Sequence, residues 1–413
     1  FSILPEDQKE DKERLKDLLQ LLGQSDSKRM LANLRGFMAF ESEVSSLEWI
    51  GILLNDDYHT SVGGDGQITG VIHLADGIPA PGTDIEVLSQ SLAVDILDYT
   101  SHGVGRISMR VDEGEKGADL SLEISLQDAD LMRRNELESA AYIQNVDLNV
   151  SALVEDMGLD KTESKTSLGF KILSANVTDM SIFSSYLPAD SPLQFTNGTA
   201  ALTADIQLQK HDAQGWVNLK STDLELSAAE QSIRADLAAN IQLVGGVPAE
   251  MNFDISGSQV NLTEVQVIGE HERFSEEDWS ARFTLVRGKT TWKKPLQLDV
   301  EATLDIMDSR PVVAMFNNKK ERPRWLLDIL TIKDISGVAE VRIADQQIVI
   351  PLAHAISDQL EGGAKARISE QRRDGVISAR YKTLDAVIKI DDGDRNTDII
   401  RAREKYDSYL IAE

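Results

Sequence analysis

From about residue 66 onward, apolar side chains recur at every second position in stretch after stretch. No other feature of the chain limits its fold as strongly. In "SIRADLAANIQL" (232–243), Ile233, Ala235, Leu237, Ala239, Ile241 and Leu243 alternate with Arg234, Asp236, Asn240 and Gln242. A helical period of 3.6 residues would scatter these apolar positions round a cylinder, whereas a period of two puts them all on one face. The alanines notwithstanding, the stretch reads as a strand. At roughly 3.3 Å per residue it spans on the order of 35–40 Å, about twice the common strand length. Such a ribbon needs a cover for its oily side: a second sheet, a closed barrel, or something that fills an open trough.

The same period runs through "QITGVIHLADGIPAPGTDIEVLSQSLAVDIL", "ADLSLEISLQDADL", "TAALTADIQLQ", "MNFDISGSQVNLTEVQVIG", "WSARFTLVRG" and "LQLDVEATLDIM". Turn signals such as "TNGT", "VGGVP" and "VRGKT" separate these ribbons, so consecutive strands can pair antiparallel as a meander. No fixed word recurs at a fixed spacing, which sets the chain apart from propellers and leucine-rich repeats. The predicted fold is therefore mainly β with short helices: a long antiparallel meander sheet curved into an elongated groove.

Helical periodicity is confined to a few places. Residues 1–65 are expected to form a helical N-terminal cap or linker, with Leu15, Leu18, Leu19 and Leu22 on one stripe, Met30, Leu34, Phe37 and Phe40 on a second, and Val44, Leu47 and Ile50–Leu54 on a third. The β-ribbon groove is placed at 66–308 and a helical insertion at 309–332. Closing strands follow at 333–393, with a short helix near 353–361 in "AHAISDQLEGG". A C-terminal helix is placed at 394–413, with Ile399, Ile400, Tyr406 and Leu410 turned toward the protein.

Charge and composition narrow the function. With 42 Lys and Arg against 69 Asp and Glu, the net charge of −27 repels nucleic acid over most of the surface. Cysteine is absent, which removes disulfides, thiolate metal sites and cysteine nucleophiles and suits a bacterial envelope protein. His59, His73, His102, His211, His271 and His354 show no metal-ligand spacing, and no nucleophile elbow, phosphate loop or dinucleotide fingerprint occurs. "DDGDRNTD" (391–398) begins like a calcium loop, but Thr397 stands where glycine is required and Arg403 where the bidentate glutamate should be. No catalytic constellation, metal site or cofactor is predicted, so the chain is not read as an enzyme. Only 5% of residues are aromatic, so the apolar faces are smooth and aliphatic, with few platforms for sugars or bases.

Such a wall suits acyl chains, since burying each CH₂ is worth roughly 0.8 kcal/mol. The residues predicted to line the trough are Leu202, Ile206, Leu208, Ile233, Leu237, Ile241, Leu243, Phe253, Ile255, Phe283, Leu285, Leu298, Val300 and Leu304. The one basic cluster, "NNKKERPRW" (317–325), supplies Lys319, Lys320, Arg322, Arg324 and Trp325 as candidate contacts with a membrane surface.

Three stretches carry a family resemblance: "GVIHLADGIPAPGTDIEV" (70–87), the ribbon series 251–316 with Trp279, Trp292, Pro295 and the Arg310-Pro311 turn, and the ending "GVISARYKTLDAVIKIDDG". In alternation and turns the chain resembles the AsmA-like proteins of the Gram-negative envelope. These are related to the translocation-and-assembly-module proteins and to bridge-like lipid-transfer proteins. The resemblance implies a periplasmic β-groove that holds or conducts phospholipid between inner and outer membrane, tethered to the inner membrane by an N-terminal helix that this chain lacks. It implies no catalytic residues. An assembly factor for outer-membrane β-barrel proteins, working by strand augmentation, is the nearest alternative. A structural or adhesive extracellular β-protein with a packed core is another, and a polysaccharide enzyme a third.

Overall fold

The computed structural model describes residues 35–51, 60–76, 78–115, 117–134, 143–157, 165–189, 191–209, 212–228, 231–268, 273–275, 278–311, 332–369, 372–392 and 394–411. The fold is mainly β, 75% strand, and antiparallel, so most backbone polar groups are satisfied by neighbouring strands and not by helices. The chain divides into two compact units. The first comprises residues 1–141, 145–173 and 207–210, and the second residues 142–144, 174–206 and 211–413.

The first unit opens with strand β1 (Gly36–Val44), a single helical turn α1 (Glu48–Gly51), β2 (Ser61–Gly63), β3 (Gly66–Ala75), β4 (Ile78–Pro79), β5 (Asp84–Ile96), β6 (Tyr99–Glu113) and β7 (Ala118–Arg133). It continues with β8 (Ile143–Met157) and β9 (Lys165–Val177) as far as Leu173. β1 pairs with β3, β3 with β5, β5 with β6 and β6 with β7. Period-two alternation becomes a buried face here. Val87, Ile107 and Ile124 share one rung of the ladder, and all three are 2% exposed or less. Leu92, Leu126 and Leu148 are equally enclosed. This unit has a dry aliphatic core. The turn between β4 and β5 depends on Gly82, whose φ of +94° is strained for any side chain.

The second unit begins with a 3₁₀ turn at Met180–Tyr186, then β10 (Leu193–Asn197), β11 (Ala200–Gln209), of which Ala200–Ile206 belong here, β12 (Asp212–Ala228) and β13 (Gln231–Leu243). Two short strands, β14 (Gly245–Val247) and β15 (Asn252–Asp254), precede β16 (Gln259–Ile268), β17 (Arg273–Ser275), β18 (Ser280–Thr291) and β19 (Gln297–Asp308). After residue 332 come β20 (Lys333–Ala344), β21 (Gln347–Ile356), β22 (Leu360–Ser369), β23 (Arg372–Tyr381), β24 (Leu384–Asp391), β25 (Asp394–Asp398) and helix α2 (Ala402–Asp407). From β18 to β25 each strand pairs with the next, a plain meander. The β20–β21 hairpin turns on Asp345 and Gln346, both at positive φ, the primed geometry that matches strand twist.

Several helical expectations are corrected. Phe37 and Phe40 lie on a strand, because Gly36–Val44 pairs residue for residue with Gly66–Leu74, whose edge completes its hydrogen bonds. Of the described part of the third predicted stripe, Glu48–Gly51 is helical and Val44 is on β1, with Leu47 and Ile50 buried at 0% and 1%; residues 52–54 lie outside the described residues. The helix placed near 353–361 is instead the end of β21, a turn and the start of β22. Both neighbouring strands offer ladder partners there, and they override the helix preference of Ala353 and Ala355. Ser357 closes that turn, its amide donating to Leu360 O at 2.8 Å. Residues 394–398 pair with β24 as a strand, so the C-terminal helix is shorter than predicted. Ile399, Ile400 and Leu410 are exposed, at 63%, 69% and 86%, and do not face the protein. Tyr406 does, packing with Tyr409 against Val376, Val387 and Ala402. The stripes at 15–34 and the insertion beyond Pro311 lie outside the described residues.

Two side-chain devices fix the ends of this unit. Lys365 Nζ donates to Tyr406 O at 3.3 Å and Tyr409 O at 3.0 Å, tying the helix C-terminus to β22. Directly beneath, a Cβ on Gly363 would meet Tyr406 Oη at 2.6 Å. Gly363→Val should therefore lift α2 off the sheet. We expect a cost of about 1–3 kcal/mol and fast amide exchange at 402–407; unchanged protection there would refute this packing.

At the other device, Asp308 is fully buried at the end of β19. Its Oδ1 accepts from Arg310 N and Nε, both at 2.9 Å, and its backbone oxygen accepts from Trp279 Nε1 at 3.1 Å. Burial pushes this carboxyl up, but the Arg310 bonds outweigh it and hold the acid below the usual carboxylate range. A depressed native pKa gives stability that is present above the unfolded value, about 3.9, and lost as pH falls. Asp308→Asn should thus cost about 1–3 kcal/mol at pH 7 and flatten the acid limb of the stability curve. Unfolding measured at pH 7 and pH 3 tests both.

Candidate functional site

Residues directly opposite one another in an antiparallel ladder share a face, so register alone assembles the site. Val217 faces Ile241, Leu219 faces Ala239, and Ala239 faces Val260. Val260 then faces Phe283, Phe283 faces Leu304, and Leu304 faces Gly337. The line continues through Ala355, Gly362, Ala379 and Ala386. A neighbouring rung runs Leu285, Ala302, Ala339, Ala353, Ala364, Ile377 and Ile388. One apolar face therefore extends without a break from β12 to β24.

Burial distinguishes this face from the core of the first unit. Leu237, Ile241, Leu243, Phe283, Leu285 and Leu304 are half-buried, as are Ile335, Val341, Ile348 and Ile350. Ile377 is 43% exposed. A second layer packed about 10 Å above would enclose such residues as fully as Ile124 is enclosed. Half-burial is what the flanking strands alone provide. Residues 232–243 show the change within one strand: Ile233 and Ala235 are buried at 8% and 2%, and from Leu237 onward the apolar side is only half-covered. The covered end adjoins Val265, Val267, Trp279 and Ala281, all 5% exposed or less.

The face has relief. Across β20 to β24 two adjacent rungs are almost all alanine and glycine, flanked by Val341, Ile350 and Ile390 on one side and by Leu360, Tyr381 and Leu384 on the other. This leaves a shallow path across the strands, walled by larger side chains. At about 4.8 Å per strand the path from β20 to β24 is on the order of 19 Å long.

The opposite face carries charged pairs and, on β22 to β24, helix α2 packed on Val376 and Val387. Arg342 pairs with Asp299 and Arg287 with Glu301, each at 3.8 Å, and Arg380 Nε donates to Asp385 Oδ1 at 2.7 Å. The Arg380 hydrogen bond lowers the Asp385 carboxyl below its ordinary range. Pairs this exposed add little stability; they keep that side wetted and so fix which side is oily.

The predicted lining residues are distributed as follows. Ile233, Leu237, Ile241, Leu243, Phe283, Leu285, Leu298, Val300 and Leu304 share the face, and Phe253 reaches it through its pairing with Thr290, which faces Leu298. Ile255 is buried where its turn crosses Gly288, whose missing Cβ would come within 2.8 Å of Ile255 Cγ1. Leu202 and Ile206 are half-buried on β11, while Leu208 belongs to the first unit and is buried there. Lys319, Lys320, Arg322, Arg324 and Trp325 lie outside the described residues. Sequence reasoning missed the β20–β24 part of the face. Its alternation was legible in "GVAEVRIADQQIVIPLAHAI", but alanine at alternate positions carries too weak a contrast to mark a binding wall.

Among the described residues no three His, Asp or Glu gather as metal ligands, and no helix is long and apolar enough to cross a membrane. The fold and the face define a class: an antiparallel β protein, its sheet not closed into a barrel, with a continuous aliphatic sheet surface that no second layer among the described residues covers. Neither family models, nor curated proteins, nor solved structures give a match to this chain.

Proposed function

We propose that the protein holds or conducts phospholipid by its acyl chains along the uncovered face of the second unit, as a periplasmic, AsmA-like groove protein between inner and outer membrane. The observation that carries this reading is the incomplete burial of most of an aliphatic face spanning β12 to β24, with Val300, Ala302 and Ile343 among its buried exceptions. Exposed apolar surface on this scale exceeds what a protein without a partner for it ordinarily leaves to water. Two features favour hydrocarbon tails as the occupant. The alanine and glycine rungs form a narrow, smooth path with no directional hydrogen-bonding group, and at about 19 Å across β20 to β24 it is long enough for much of an acyl chain to lie along it. Few aromatic platforms are present for a glycan. Lys319, Lys320, Arg322, Arg324 and Trp325 would meet anionic headgroups at the membrane surface.

The test is organic extraction of the gently purified protein followed by mass spectrometry. Phospholipid in at least stoichiometric amount is expected. A lipid-free protein that is instead a dimer closed through this face, or that carries a bound polypeptide, would overturn the reading.

A further inference from the structure

We infer that the first unit contains a separate pocket for a single hydrocarbon chain whose head group is zwitterionic or uncharged. The inference does not depend on the lipid path of the second unit.

A cavity of about 440 Å³ lies in the first unit, lined chiefly by Met38, Phe40, Trp49, Ile68, Ile72 and Met109. That volume falls within the range of about 300–1,000 Å³ typical of small-molecule sites. Register places most of these residues on one face: Met38 is opposite Ile72, and Phe40 is opposite Gly70, which in turn is opposite Ile85, the partner of Met109. Trp49 is held over them by α1, since Leu47 and Ile50 on either side are buried at 0% and 1% and the Leu47 amide donates to Gly64 O at 3.0 Å.

The chemistry of the lining selects the ligand. Its polar lining is Glu41, exposed at the rim and accepting from Gln67 Nε2 at 3.1 Å, Ser42, whose Oγ donates to Glu43 O at 3.2 Å, and the buried Thr83 Oγ1, which donates to His73 O and accepts from His73 N at 3.0 Å each. A polar group buried in this pocket would therefore lose its water without finding a partner, which costs several kcal/mol. The part of the ligand inside must be pure hydrocarbon. Two methionines and an aliphatic wall suit a flexible chain better than a rigid one. Met38 is 50% exposed, so the mouth opens beside β1. Glu41, Glu43 and Glu48 are exposed on β1 and α1, and the nearby Arg35 is already paired to Asp76 at 2.9 Å. This rim repels a carboxylate or phosphate monoester head and tolerates a zwitterion.

The probe is lysophosphatidylcholine brominated along its chain, used below its micellar concentration, with tryptophan emission as the readout. Saturable quenching is expected in the full chain, and Trp49→Phe should remove that component. Ile72→Trp, which fills the cavity, and Met38→Glu, which charges the mouth and leaves the core untouched, should each weaken the probe more than tenfold. A brominated fatty acid should bind at least tenfold more weakly than the lysolipid. Ala353→Asp in the second unit should leave the quenching intact, so a lipid-free second unit would not sink this pocket. Quenching that survives Trp49→Phe, or resists Met38→Glu, or is as strong with the fatty acid, would overturn the inference.

Discussion

Ala353→Asp should empty the protein of phospholipid and leave it folded, while Leu352→Asp, one residue away, should change neither. The two side chains point to opposite faces of β21. Ala353 sits on the rung between Ala339 and Ala364, whereas Leu352 faces Glu340 on the charged side and is already 37% exposed. A carboxylate at 353 remains solvated in the lipid-free protein, because Ala353 is only half-buried and no second layer among the described residues covers it, so folding tolerates the change. With an acyl chain in place the same carboxylate would be desolvated without a partner, at a cost of several kcal/mol, and each 1.4 kcal/mol is about a tenfold loss of affinity. Bound lipid should fall by more than tenfold in Ala353→Asp. Equal lipid content in the two variants would show that the path is not the binding surface.

The second large effect is a contrast in stability. Leu126→Ala in β7 removes a side chain that is 1% exposed and should cost about 2–5 kcal/mol, through lost transfer energy plus an unfilled cavity. Leu237→Ala in β13 is the same chemical change on a half-buried site, where water already reaches the side chain and no cavity forms. It should cost about 1 kcal/mol, near the centre of the range for point substitutions. Urea unfolding of both, followed by probes local to each unit, makes the comparison. If Leu237→Ala were as costly as Leu126→Ala, the face would be covered by the protein itself, and the lipid reading would fail with it.

Alternation in "SIRADLAANIQL" was enough to identify β13, its length and the side on which Leu237 and Ile241 lie, because a period of two admits only one ladder face. Turn words did the same for most of the meander. Phe37 and Phe40 read as helical because a spacing of three shares a helix face; on the strand they fall on opposite faces, Phe37 77% exposed and Phe40 half-buried, and only the edge of β3, on which they pair, decides between the two. The stretch 353–361 failed for a related reason. Alanine favours a helix in isolation, and two neighbouring strands outweigh that preference by completing its hydrogen bonds. Nothing in the sequence of 38–49 announced a pocket, since Met38, Trp49 and Met109 come from separate elements and meet only through the pairing of β1, β3, β5 and β6.

What the chain determines by itself is local: the strand period, the sidedness of each ribbon and the positions of the bends, all set by side-chain alternation and backbone sterics within a few residues. Whether an oily side ends up dry is not local. The ribbons of β5 to β7 and those of β20 to β24 alternate in the same manner, yet the former are enclosed and the latter are open to solvent. Covering a face requires a second surface at packing distance, and that depends on how distant segments are brought together, which only the tertiary structure decides.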